Sequence, residues 1–202
     1  MKAPLPPILT RTSGRIGPGA LIAVCGPSGA GKDTVLRSVQ EMNKGRADII
    51  FPRRIVTRPE SVFEGHDSAT EEQFSEMQAA GGFAFCWSAH GLRYALPATV
   101  DDHIRHGCCV VCNVSRAIVP ELRSRYARTT AVLITAPLEI LAARLAARGR
   151  VTDGTLSSRV ARSAEVGHDL NPDIVIDNAG PIEAAARRLQ GVIESQFVIV
   201  SF

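Results

Sequence analysis

Lysine is nearly missing from this chain. Of its 23 basic residues, only Lys2, Lys32 and Lys44 are lysines; the other 20 are arginines. Neither sign of charge is in large excess, and a formal net charge of +3 is too mild to argue for nucleic acid as a partner. No apolar run reaches the roughly 18 residues of a membrane span, and the tail FVIVSF, Phe197–Phe202, is far too short. The five cysteines are odd in number and follow no secretory leader, which predicts a reduced, cytoplasmic setting rather than a disulfide framework. Three of them fall in HGCCVVC, His106–Cys112, with no second ligand pair at metal spacing after it. Cys108, Cys109 and Cys112 therefore read as structural residues of a buried strand, not as zinc ligands. Residues 1–19 hold no acid and break any continuous helix with Pro and Gly; they read as a disordered lead rather than a signal peptide.

What remains suits one α/β domain with a sizeable core: 202 residues, 45% hydrophobic and 21% charged. Arginine carries a planar fork that matches phosphate oxygens two at a time, so particular arginines inside motifs are candidate phosphate binders. ALIAVC (Ala20–Cys25) is a short apolar run that reads as a buried strand, followed at once by a Gly-rich loop and then by helical spacing at Val35, Leu36, Val39 and Met42. IIFPRRIVT (Ile49–Thr57) reads as a second strand whose Pro52 suggests an edge or irregular start. Residues 58–97 change character, with a polar stretch, a short helix (EEQFSEMQAAGG) and two short strands (FAFCW, LRYAL); they read as a small lobe inserted in the domain. After Pro97 helix and strand alternate: ATVDDHIRHG, CCVVCNV, RAIVPELRSRY, TTAVLIT, LEILAARLAARG, TDGTLSSRVARSAEV, DIVIDN and IEAAARRLQGVIES. Continuous apolar strands between helices predict a parallel sheet covered on both faces. No internal repeat is present.

The chemistry begins at CGPSGAGKDTV, Cys25–Val35. Gly26, Gly29 and Gly31 let backbone N–H groups turn toward a polyphosphate at the positive end of the next helix. Strand, Gly loop and helix in that order make Gly26, Pro27, Ser28, Gly29, Ala30, Gly31, Lys32, Asp33 and Thr34 the candidate ATP-binding segment of a P-loop fold. The usual pattern, G-x-x-x-x-G-K-[ST], wants a hydroxyl directly after the lysine; here Asp33 takes that place and the hydroxyl comes one residue late, at Thr34. Thr34 is the candidate magnesium contact, direct or through water, and Asp33 is left to orient a metal-bound water or to cap the helix.

This loop resembles that of the guanylate kinase superfamily, and the resemblance runs from about residue 20 to 195. VTRP (Val56–Pro59) is similar to that family's Thr-Arg-Pro segment. GFAFCWSAHGLRYALP (Gly82–Pro97) is similar to its acceptor stretch, LAARLAARGR (Leu141–Arg150) to its lid entry and DIVIDN (Asp173–Asn178) to its last strand. The departures fall on the guanine readers: Phe85 stands where the family has a glutamate, and CNVSR (Cys112–Arg116) stands where it has an Asp-x-Asp run. GPSGAGKD, RRIVTRP, EGHDSAT, AHGLRYALP and NVSR resemble more closely the ribose 1,5-bisphosphate phosphokinase family of phosphonate catabolism. That resemblance implies an α/β P-loop kinase with a parallel core sheet, a small acceptor-binding lobe at 58–97 and a lid near 148–160. It implies ATP and Mg²⁺ as cofactors, and transfer of the γ-phosphoryl group to the 1-phosphate of a sugar bisphosphate, giving 5-phosphoribosyl 1-diphosphate and ADP. With the mild net charge and the short apolar runs, a small-molecule substrate is the expected partner rather than nucleic acid or membrane.

Site residues carried over on matching motifs are Arg58, Arg54, His90, Tyr94 and Arg116 for the acceptor, Asn178 near adenine, and Lys32, Arg148 and Arg150 around the transferred group. Arg53 and Arg54 alternate faces on a strand, so only one of them can point into the site. Arg144 and Arg148, four apart, share a helix face, and Arg159 and Arg162 could complete a clamp. Other readings stay open: a nucleoside monophosphate kinase of guanylate type, a non-catalytic binding module, or a nucleotide switch. The intact lysine and glycines weigh against the module, and the missing hydroxyl after Lys32 weighs against the switch.

Overall fold

In a computed structural model of the protein, residues 14–59, 65–89, 91–147 and 171–198 are described. Five strands form one parallel sheet in the order β2-β7-β1-β8-β9: β1 (Ala20–Cys25), β2 (Ile49–Ile50), β7 (Cys109–Asn113), β8 (Thr129–Thr135) and β9 (Ile174–Asp177). The central strand, β1, is buried at every position, which is why it reads as an unbroken apolar run. Alternation along the strands splits its side chains between two layers. Ile22 and Val24 face one core with Val111, Val132 and Ile134. It lies under α1 (Lys32–Met42) and α6 (Ile182–Val198), whose Val35, Val39, Leu189 and Ile193 join it. Leu21, Ala23 and Cys25 face the other core, with Val100 and Ile104 of α3 (Thr99–Arg105) and Val119 and Leu122 of α4 (Val119–Arg125). Asn43 and Gln190 exchange two side-chain hydrogen bonds, 2.5 and 3.0 Å, and pin α1 to α6.

The strand expected over Ile49–Thr57 is two strands in two sheets. β2 ends at Ile50, and β3 (Arg54–Val56) belongs to a second sheet of order β4-β3-β6-β5. Pro52 lies between them; it offers no N–H to a ladder and fixes its own φ, so pairing stops and resumes beyond it. The other strands of this sheet are β4 (His66–Ser68), β5 (Phe83–Ala89) and β6 (Leu92–Pro97). Phe74 of α2 (Glu71–Ala79) packs with Ile55, Ala95 and Phe83 against it. Thr70 starts α2 with a reciprocal cap to Gln73. The helix expected from Arg116 opens as a 3-10 turn, Arg116–Ile118, before α4. Helix α5 (Leu138–Ala147) follows β8. The helix expected over 152–166 and the proposed lid lie outside the described residues.

The three cysteines of the His106–Cys112 segment separate as a strand requires. Cys109 points into one core, Cys112 into the other, and Cys108 precedes β7. Among the described residues there is no group of three or more His, Cys, Asp and Glu that could hold a metal ion, and no helix is long and apolar enough to cross a membrane.

Candidate active site

The Gly-rich loop leaves the carboxyl end of β1, the central strand, where open α/β sheets form their ligand crevice. Two glycines show why no other residue serves. Gly26 has φ +147°, and a Cβ there would lie 2.0 Å from the Ile134 carbonyl oxygen. Gly31 has φ +80°, and a Cβ there would lie 2.6 Å from Asn178 Nδ2. Both positions demand a backbone that L side chains avoid, in a space that a methyl group would fill. Pro27 and Ala30 are buried under the loop, and Ser28 is exposed at its tip. Gly31 caps α1 with no side-chain hydrogen bond to the helix N-terminus, so its first N–H groups are left for a ligand. Lys32 Nζ donates to the carbonyl oxygens of Gly26 (2.8 Å) and Pro27 (2.9 Å), folding across the loop.

Asn178 closes this side. It follows β9, is almost fully buried, and donates from Nδ2 to the Ala30 carbonyl oxygen at 2.8 Å. Arg144 of α5 donates from Nη2 to the Asn178 carbonyl oxygen at 3.0 Å. Among the described residues, Asn178 Oδ1 and Arg144 Nη1 are buried with no hydrogen-bond partner, and Nη1 stands 3.8 Å from where a Gly31 Cβ would be. A buried donor and acceptor without partners are costly. Together with the glycine cradle, they fit the polar edge of a bound nucleotide.

Asp33 does not cap α1. Its Oδ1 accepts from Asn113 Nδ2 at 2.9 Å and lies 3.9 Å from Arg54 Nη2. Thr34, the expected metal contact, is exposed on the first turn of α1. The carboxylate and the hydroxyl are both hard oxygen donors beside Lys32, suited to Mg²⁺, which is commonly held by one or two carboxylates plus substrate phosphates.

Arg53 and Arg54 differ in burial and in partners. Arg53 turns outward, pairs with Asp67 (Nε–Oδ1, 2.5 Å) and donates to the His66 carbonyl oxygen at 2.7 Å. Arg54 turns inward: its side chain is 12% exposed, near Asp33, with its guanidinium 5.8 Å from the centre of the Tyr94 ring. Tyr94 is buried, and its ring stacks on Trp87 at 5.5 Å and 10°. Arg58, just past β3, is half-buried. Arg116, just past β7, is half-buried as well. It lies close enough to Cys25 to act on it: burial pushes the Cys25 thiol up to about 11, against the pull of Lys32, Arg116 and Arg123. His90, Arg148, Arg150, Arg159 and Arg162 lie outside the described residues. Asp33, Leu36, Phe51, Arg53, Arg54 and Asn113 are among the residues that line a cleft between α1 and the start of the second sheet, Arg53 at its rim and Arg54 deeper in.

Phe85, at the position of the guanine-reading glutamate, packs its ring 5.9 Å from that of Tyr126, with the Arg125 guanidinium 5.3 Å above it. It is part of the apolar layer beneath α3 and α4. Two residues of this site escaped the sequence reading. Asn113 was visible only as a departure at a strand end, and Trp87 only as an aromatic two places along from Phe85. Asp33 lies 80 positions from Asn113, so spacing alone could not join them, whereas Tyr94 meets Trp87 across the β5–β6 hairpin, a pairing that depends on its register.

A crevice at the carboxyl end of a parallel sheet, floored by a glycine loop with its lysine, defines a P-loop nucleotide-binding protein. The AAA domain family matches residues 22–165. The ribose 1,5-bisphosphate phosphokinase PhnN of Rhodopseudomonas palustris is 46% identical over 186 residues, covering 92% of this chain and 94% of that protein. The protein of the same name from Methylobacterium radiotolerans is 49% identical over 172 residues, covering 85% and 96%. A crystal structure of guanylate kinase from Anaplasma phagocytophilum superposes with a TM-score of 0.65 at 18% identity, covering 88% of this chain and 86% of that one; it shares the fold. The chain belongs to the ribose 1,5-bisphosphate phosphokinase family.

Proposed function

We propose that the protein transfers the γ-phosphoryl group of ATP to the 1-phosphate of ribose 1,5-bisphosphate, giving 5-phosphoribosyl 1-diphosphate and ADP. The observation that carries this reading is the pairing of an intact phosphate loop with an inward Arg54 and an apolar Phe85: the donor site is kept, and the base reader is gone. The names of relatives matching most of the chain support the acceptor.

An acceptor phosphate oxygen attacks the γ-phosphorus, and the bond from that phosphorus to the β,γ-bridging oxygen breaks. The acceptor is already ionised at neutral pH, so no general base is needed and the protein's work is positioning and charge neutralisation. Loop N–H groups from Gly26 to Lys32 hold the β- and γ-phosphates. Lys32 exchanges its loop carbonyls for phosphate oxygens. Arg54 and Arg58 hold the acceptor's phosphate groups, Tyr94 donates its hydroxyl to the acceptor phosphate, His90 donates to the sugar, and Arg116 stands at the strand end. Arg148 and Arg150 are the arginines assigned to the transferred group, and Asn178 and Arg144 meet the nucleotide. Bound Mg²⁺, held beside Lys32 by the oxygen donors of the first turn of α1, would neutralise the β,γ-oxygens.

The test is ADP release with ATP and Mg²⁺, comparing ribose 1,5-bisphosphate with GMP and the other nucleoside monophosphates, and Lys32→Ala as the blank. Turnover with the sugar bisphosphate alone, lost in the blank, is expected. Turnover with a nucleoside monophosphate instead would replace this reading by the guanylate-type kinase.

A further inference from the structure

In the common P-loop arrangement, the residue after the lysine is a Ser or Thr that touches the triphosphate's metal ion, and a carboxylate at the end of a neighbouring core strand supports the same ion. This chain reverses both identities. The residue after Lys32 is Asp33, and the residue ending β7, directly beside β1, is Asn113. The two meet: Asn113 Nδ2 donates to Asp33 Oδ1 at 2.9 Å. Asn113 is 8% exposed, its backbone held by pairing with Val24 of β1.

From this we infer that the carboxylate of the metal site has changed places: Asp33 holds the ion that accompanies ATP, directly or through one water, and Asn113 positions Asp33. The inference rests on the proposed use of ATP. Its physical content is a conserved sum. One negative charge and one neutral hydrogen-bonding partner remain in the same contact, so the field at the ion is kept although each residue has changed. Asn113 is suited to the second task, because an amide N–H donates to a carboxylate and leaves the other oxygen free. A second aspartate at position 113 would instead face Asp33 with like charge. Arg54, 3.9 Å from the same Asp33 oxygen, brings the acceptor side of the cleft to this carboxylate.

Manganese is the probe, its binding followed by electron paramagnetic resonance in the presence of a non-hydrolysable ATP analogue, on the full chain. Asp33→Asn is expected to weaken Mn²⁺ binding in that ternary complex by about tenfold or more, and Asn113→Ala by about tenfold, as losses at and around metal ligands generally do. Binding of the analogue without metal should change far less. The decisive variant restores the common arrangement: Asp33→Ser loses Mn²⁺ affinity, and Asp33→Ser combined with Asn113→Asp recovers most of it. Circular dichroism and thermal unfolding verify that each variant is folded; where one of them is not, the remaining pair decides. An Asp33→Asn protein with unchanged Mn²⁺ affinity, or a double variant no better than Asp33→Ser, overturns the exchange. Because the readout contains no acceptor, it is independent of the substrate: a failure of ribose 1,5-bisphosphate in the turnover assay would leave this result standing, and the reverse.

Discussion

Arg53 and Arg54 differ by one position and by almost everything else. Arg53 holds an exposed ion pair with Asp67, and such pairs are worth about 0–1 kcal/mol. Replacing Arg53 by Ala should leave stability and turnover close to those of the parent. Arg54→Ala should lower kcat/KM for the sugar bisphosphate by about 10–100-fold, the scale of one lost charged hydrogen bond at about 1.5–3 kcal/mol. Arg54→Lys should rescue only part of that loss, because the fork is replaced by a point charge. Steady-state kinetics on the three variants measures this; equal losses for Arg53→Ala and Arg54→Ala would mean that the inward arginine has no special role. Gly31 offers a second check at the same scale. Gly31→Ala sets a methyl group against Asn178 Nδ2 at a positive φ, so nucleotide affinity should drop well beyond what an exposed glycine substitution would cause. Titration of a fluorescent ATP analogue reads it. That one of the two arginines must face inward was legible from strand alternation, but which one was not: the answer depends on β3 lying against α1, a contact between segments some twenty residues apart.

At the scale of elements, the core sheet was legible because each strand carries an apolar run and its helices follow Gly and Pro signals. The second sheet was harder to read, since β3 and β4 have three residues each, too few for a periodic pattern. The division at Pro52 shows where the limit lies. A proline tells the reader that a ladder is interrupted, but not that the chain crosses to another sheet. Strand β7 gives an element-level prediction. Burial raises the thiols of Cys109 and Cys112 to about 12, and that of Cys25 to about 11, while Cys86 is exposed and Cys108 partly so. A thiol whose pKa is raised stays protonated, and so unreactive, until the pH approaches that value. At pH 8 the native protein should therefore give one rapid reaction with a thiol reagent, a slower second one from Cys108, and all five only after denaturation. Rapid reaction of three or more thiols in the folded protein would contradict the buried placement of β7.

For the molecule as a whole, the site gathers residues from both sheets: the loop after β1, Asn113 from β7 and Asn178 after β9 on one side, Arg54 and Tyr94 on the other. Ligands that bind such a site only in the folded state must stabilise the fold by mass action. At a hundredfold excess over its Kd, an ATP analogue with Mg²⁺ contributes about 2.7 kcal/mol. For a chain of this size each kcal/mol is worth about 2–4 °C, so Tm should rise by about 5–10 °C. The two sides of the cleft make the experiment discriminating. Lys32→Ala should abolish most of the shift from the nucleotide while keeping the shift from ribose 1,5-bisphosphate, and Arg54→Ala should do the opposite. Calorimetry or a dye-based melt on the parent and both variants reads all six shifts. If either substitution removed both shifts together, donor and acceptor would bind as one coupled unit, and the division of labour between the glycine loop and Arg54 would have to be given up.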